Sequence, residues 1–341
     1  MRRSLIVRVL GGVLLFGALT GAARGAAVDG LLKGLSVGAP VEYENLTVFP
    51  LTGRATGSTG YLTLDKAIRD GDVEVEEKDG GDVNTVRIRN RSDRYVFGMA
   101  GEIITGAKQT RMLERDVVLP PKSGWLDLSV YCVEHGRWSD ASEQFSSKGQ
   151  IVTGALRSTA NQTQSQSEVW AEVSRNNAAL DIAAPTDRFD AVFEDATVQE
   201  QLARYRGNLE EQVPRLAPNV LGVAVASGDR IVCVDVFASP ALFKKMWSRL
   251  LESYVIDAVA RQPKGAVDAA DVRGLLSDAA GAETVLQAGI GEGQLYRLEA
   301  DGVTGSALVR GSEVVHLDLF PEVEAESSPL RLDIRRQGTE R

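Results

Sequence analysis

Cysteine and histidine are scarce, with two of each in 341 residues. Two cysteines cannot build a disulfide framework or a four-thiolate zinc site. Two histidines leave little room for imidazole-based metal chemistry, and no cofactor is indicated. Basic charge is short as well: 38 Lys and Arg stand against 47 Asp and Glu, a net charge of −9. That balance excludes proteins that hold nucleic acid through a basic surface. No G-x-S-x-G, H-E-x-x-H or P-loop pattern occurs. Beyond the N-terminus, no apolar run approaches the roughly 20 residues a membrane span needs. The rest is ordinary. A hydrophobic fraction of 43% and a charged fraction of 25% suffice for the core of one large domain or two moderate ones.

Residues 1–27 have the order of a secretory signal peptide: Arg2-Arg3, an apolar stretch through Leu19, then small residues up to Ala27. Cleavage near Ala27 is expected, giving a secreted or periplasmic protein with no stable membrane insertion. Removal of Arg2, Arg3, Arg8 and Arg24 would take the net charge to −13. An anionic ligand would then need a local basic pocket to overcome the overall field.

The mature chain begins rich in strand signals. Val41–Leu51 is strand-like, and Tyr61–Ile68 mixes a strand with a short helix. Val73–Glu77 and Val83–Asn90 alternate about a Gly-Gly turn, as a hairpin does. Short strands are expected at Tyr95–Met99, Ile103-Ile104 and Val117–Leu119, and a longer one over Trp125–Glu134. Arg157–Gln166 is polar and loop-like, and Ser165 to Glu168 reads as the start of a helix running to about Leu180. Further helices are expected over Val198–Val213, Ala241–Ala260 and Asp271–Ala279. Leu221–Val225 and Ile231–Val236 form a hairpin pattern, and four more strands follow between Thr284 and Leu319. The charged tail, residues 321–341, reads as disordered. Strands, then helices, then strands again indicate an α+β fold. Residues 28–320 form either one composite domain or two lobes divided near residues 157–167.

Two stretches concentrate chemistry. Gly101–Arg115, GEIITGAKQTRMLER, carries Glu102, Lys108, Gln109, Arg111, Glu114 and Arg115, with Gly101 and Gly106 to free the backbone. Its two guanidinium groups, ammonium and amide are able to hold a phosphate or carboxylate. The plainer alternative is a solvated hairpin tip. Trp125–Trp138, WLDLSVYCVEHGRW, alternates Leu126, Leu128, Val130 and Cys132 onto one strand face and carries Glu134 to its end. A carboxylate there can act as acid or base. Arg137 and Trp138 follow. His135 reads as a turn residue and Cys132 as a small core residue. Cys132 and Cys233 are candidates for a disulfide after export. Gly289-Ile290-Gly291-Glu292-Gly293 precedes a strand rather than a helix, so it reads as a hairpin turn and not a dinucleotide site.

In order, NLTVFPL (Asn45–Leu51), YLTLDKA (Tyr61–Ala67), GEIITGAKQTR (Gly101–Arg111), VVLPP (Val117–Pro121), CVEHGRW (Cys132–Trp138), SQSEVW (Ser165–Trp170) and Gly222–Phe243 resemble one family. It is the ARPP-1 domain, the ADP-ribosylglycohydrolase and rhodanese-phosphatase associated protein domain, over roughly residues 35–320. The resemblance carries no assigned reaction. It implies an ADP-ribose-like or phosphorylated-sugar ligand. It marks Glu102, Lys108, Gln109, Arg111, Cys132, Glu134, Arg137 and Trp138 as the residues to examine.

Two readings compete, and the residues alone do not decide whether the chain is an enzyme. In the first, Lys108, Gln109, Arg111 and Arg137 grip a small anion, Trp138 stacks on a ring, and Glu102 and Glu134 act as catalytic carboxylates. In the second, the chain is a non-enzymatic envelope or interaction module with a protein partner. The motif residues are then structural: Glu102 pairs with Arg111 in the interior, and Trp138 and Trp170 lie in the core. Convergence of Arg111, Glu134 and Trp138 on one cleft favours the first. Pairing of Glu134 with Arg111 or Arg137 in a filled interior favours the second.

Overall fold

The computed structural model describes residues 25–261 and 265–322. Nearly all of the expected signal segment, and the tail beyond Glu322, lie outside the described residues. The architecture is α+β, with a strand-rich N-terminal region, central helices and C-terminal strands.

A nine-stranded sheet forms the frame. Its order is Ser36–Val37, Leu46–Thr52, Val220–Ser227, Arg230–Phe237, Glu313–Pro321, Val303–Arg310, Gln294–Ala300 and Glu283–Gln287, with Val41–Tyr43 also on Leu46–Thr52. Every pairing in it is antiparallel. The central strands are buried on both faces, so they read as continuous apolar runs rather than alternating ones. Val223 and Val225 point to one core, and Ala224 and Ala226 to the other. The first core lies under Gly154–Thr163, Gln166–Ala179 and Pro240–Arg261. The second is covered by residues 25–33 and by the helix Ala269–Ala280.

Two smaller sheets hold the motifs. One runs Phe145–Ser146, Ile103–Gly106, Arg111–Leu113, Leu126–Cys132, Thr85–Asn90, Val73–Glu77. The other joins Val117–Leu119, Val96–Gly98 and Leu62–Thr63. Their own apolar core contains Val75, Ile88, Leu113 and Leu128.

The hairpin expected at residues 73–90 is present, with Val75 opposite Ile88. The glycine-rich segment at 289–293 is the connection between antiparallel strands. One expectation is overturned. Arg157–Gln166 is not a loop: Gly154–Thr163 is a helix, with the Thr153 side chain accepting from the Leu156 N–H. Its polar residues misled because three of them, Arg157, Ser158 and Asn161, face protein rather than water. Asp257 completes the start of this helix by accepting the Gly154 N–H at 2.6 Å.

Candidate functional site

The register of the motif strands explains how the singled-out residues meet. Ile104 lies opposite Arg111 within the GEIITGAKQTR hairpin, and Cys132 lies opposite Arg111 on the other side. Directly paired residues share a sheet face, and so do residues two apart. Arg111 and Cys132 therefore project to the same side, and Gln109 and Glu134, just beyond the ends of the two strands, are joined to them by hydrogen bonds.

There they form a closed network. Arg111 is fully buried and donates to the Gln109 amide oxygen at 2.8 Å; its second Nη lies 3.8 Å from Glu77. Gln109 in turn donates to the Glu134 carbonyl at 2.8 Å, and the Cys132 thiol donates to the same oxygen. The Glu134 carboxylate takes two bonds from Arg137, at 2.9 and 2.7 Å. It also accepts the Thr110 N–H and the Thr186 hydroxyl, each at 2.9 Å. Burial pushes this carboxyl up, but Arg137, Thr110 and Thr186 together outweigh it and hold Glu134 below its ordinary value. Burial pushes the Cys132 thiol up, and Arg111 only partly offsets that.

Two motif side chains reach outward. Trp138 is 49% exposed. Lys108 Nζ and the Arg111 guanidinium carbon lie 5.4 and 5.7 Å from its ring centroid. Lys108 also lines an open groove of about 540 Å³ with Glu77, Gly80, Asp140, Ser142 and Glu143. Glu77 Oε2 has no hydrogen-bond partner among the described residues.

The remaining candidates lie apart. Glu102 does not pair with Arg111. It accepts the Met99 N–H at 3.0 Å and pairs with Arg249 at 2.8 Å, and Arg249 also reaches Asp65. Burial, only partly offset by Arg249, raises the Glu102 carboxyl. His135 is a surface residue packed on Trp170, 4.3 Å between ring centroids. Trp138 is not core. Cys132 and Cys233 are free, buried thiols in different settings, not a disulfide. Cys132 sits against Glu134, whereas Cys233 sits against Arg157 and Asp235. Both do point inward, but from strands of different sheets.

A second network was not found by sequence reasoning. Arg157 makes two bonds to Asp235, at 2.7 and 2.8 Å. His316 joins Asp116 at 2.7 Å and Asp235 at 3.2 Å, and stacks on Phe237. The Tyr254 hydroxyl also donates to Asp235. Asp318 lies directly across the sheet from Asp235. None of the six residues is more than 3% exposed. Burial would lower His316, but Asp116 and then Asp235 raise it to about 10. Burial is the main cause that lifts Asp318 well above the carboxylate range. Asp116, Arg157, Asn161 and Asp318 border a cavity of about 20 Å³, room for one water molecule. Gly101 of the motif backs onto it: with φ at +88°, a Cβ there would stand 2.8 Å from Arg157 Cγ. The available signal was ionisable residues inside apolar strands, Asp235 in VCVDVF and His316 and Asp318 in VVHLDLF.

Among the described residues no helix is long and apolar enough to cross a membrane, and no group of three or more His, Cys, Asp or Glu could hold a metal ion. The model of the ARG and Rhodanese-Phosphatase-superfamily-associated Protein domain, ARPP-1, matches residues 34–320. The chain therefore belongs to the ARPP-1 family. No curated protein and no solved structure matches it.

Proposed function

We propose that this ARPP-1 chain is an exported, non-catalytic binding module for a phosphorylated sugar or nucleotide-sugar ligand, with Trp138 and Lys108 as its contact surface. The observation that carries the reading is Trp138. It is a large indole left half in solvent, steadied by Lys108 and Arg111, at the end of the family-like motif CVEHGRW. An exposed indole beside a groove is suited to stack on a ring. The exposed carboxylates of the groove, Asp140 and Glu143, would accept from sugar hydroxyls. The Lys108 ammonium would meet the anionic group. Export is supported by the order of basic, apolar and small residues in 1–27.

The same geometry supports a frame role, not a catalytic one, for Glu134 and Glu102. A general base needs a lone pair directed at substrate. Glu134 already accepts four hydrogen bonds, and Glu102 is held by Arg249 and a backbone N–H. These pairings also favour a second reading, a protein-interaction module with no small ligand.

Thermal shift and calorimetry against ADP-ribose, ribose phosphates, nucleoside phosphates and inorganic phosphate separate the two. A ligand at a hundred times its Kd adds about 2.7 kcal/mol of stability. The expected result is a shift with a sugar phosphate that is lost in Trp138→Ala and Lys108→Ala and kept in Glu134→Gln. No shift across the panel rejects the sugar-phosphate reading and leaves the interaction module. Turnover abolished by Glu134→Gln with unchanged Tm would restore catalysis.

A further inference from the structure

The strand Glu283–Gln287 ends the nine-stranded sheet. Its inner edge pairs with Gln294–Ala300, and no described strand pairs with its outer edge. Edge strands are usually protected by Lys, Pro, a bulge or a covering segment, because their free N–H and C=O groups template further pairing. The sequence here is ETVLQ, with a single charge and no proline. Val285 and Leu286 are 43% and 51% exposed, two of the few large hydrophobic residues so placed. Leu286 is paired with Tyr296, and Thr284 with Leu298. Tyr296 and Leu298 belong to the core beneath the helix Ala269–Ala280. Leu286 therefore continues that apolar face by one more strand, and a neighbour added at the edge would extend it again.

We propose that the outer edge of Glu283–Gln287 pairs antiparallel with the same strand of a second copy of this chain, forming one sheet across a two-fold axis at Val285. Charge selects this arrangement. About that axis each Glu283 faces a Gln287, which can donate to it, Thr284 faces Leu286, and Val285 faces Val285. Parallel in-register pairing would set Glu283 against Glu283, and like charges directly opposite are destabilising. A two-fold axis also closes the assembly at two copies, because the same edge is used up on both chains. The net charge of −9 opposes the approach of two copies, so association should strengthen as salt screens it.

Sedimentation of the purified protein over a hundredfold range of concentration, at two salt concentrations, measures the association. The expected result is a monomer–dimer equilibrium, tighter at the higher salt. It should be lost in Val285→Lys/Leu286→Lys, while Tm measured at a concentration low enough for the natural chain to be monomeric stays unchanged, since both side chains are already exposed in the monomer. Register is read separately. Val285→Cys should cross-link on mild oxidation, and Thr284→Cys should not. Because Cys132 and Cys233 are buried, the unsubstituted chain provides a low background. A monomer at every concentration overturns the proposal. So does a dimer that survives the double lysine variant, or cross-linking that is equal at positions 284 and 285.

Discussion

Arg157 carries more structure than any residue singled out from the motifs. Its guanidinium holds Asp235 in a fully buried bidentate pair, and Asp235 in turn takes bonds from His316 and Tyr254. Removing one partner of a buried pair leaves an uncompensated charge, which costs about 3–5 kcal/mol. Arg157→Ala should lower unfolding stability by that amount in urea titration. A loss under about 1 kcal/mol would mean that His316 and Tyr254 satisfy Asp235 without it. The cysteines give a second residue-scale test. A thiol reagent should find neither Cys132 nor Cys233 in the native protein and both after unfolding without reductant. Finding none after unfolding would establish the disulfide that the structure lacks. Burial was legible for both residues from strand alternation. Their separation was not, because alternation sets which way a side chain points and not which strand it meets.

At the scale of elements, local signals were read well where they are local. Ser165 before Glu168 marked a helix start, and the Ser165 hydroxyl accepts the Glu168 N–H at 3.4 Å. Ser165→Ala should cost about 0.5–1 kcal/mol. Thermal denaturation checks this, and no change would show that the long bond contributes nothing. The helix Gly154–Thr163 was missed because RSTANQTQSQ has no apolar stripe of helical period. Its inward face is made of Arg157, Ser158, Leu156 and Ala160, and the charge of Arg157 is met by Asp235, distant in sequence. Tertiary partners outweigh weak local propensity in such a segment. The hairpin at residues 101–113 was legible as a loop of charge, but its strand Arg111–Leu113 was not, being three residues long.

At the scale of the molecule, the His316 network ties the N-terminal half to the large sheet: Asp116 comes from the first and Asp235 from the second. Its protonation gives the stability a pH dependence. His316 is raised from 6.5 to about 10 in the folded state, so its contribution is complete below pH 6.5 and is lost as the pH rises through about 10. Asp318 is also raised, so its contribution too falls as pH rises, over a lower range. Asp235 is held well below the carboxylate range, so its contribution is present above its ordinary value and is lost only in strong acid. The urea midpoint should therefore decline between about pH 7 and 10, and His316→Gln should flatten that decline. A midpoint that is level or rises over this range in the natural chain would show that His316 is neutral when folded.

Composition, periodicity and short motifs determined the α+β class, the order of most elements and the set of residues gathered around Arg111. Those properties depend on neighbours along the chain or across one hairpin, where spacing alone fixes which residues share a face. Only the tertiary structure decided that Glu134 belongs to Arg137 and Glu102 to Arg249, that Trp138 stands in solvent, and that Arg157 and His316 meet around Asp235. A buried charge takes as its partner whichever opposite charge or donor the packing brings within reach, and that reach is set by strands far apart in sequence.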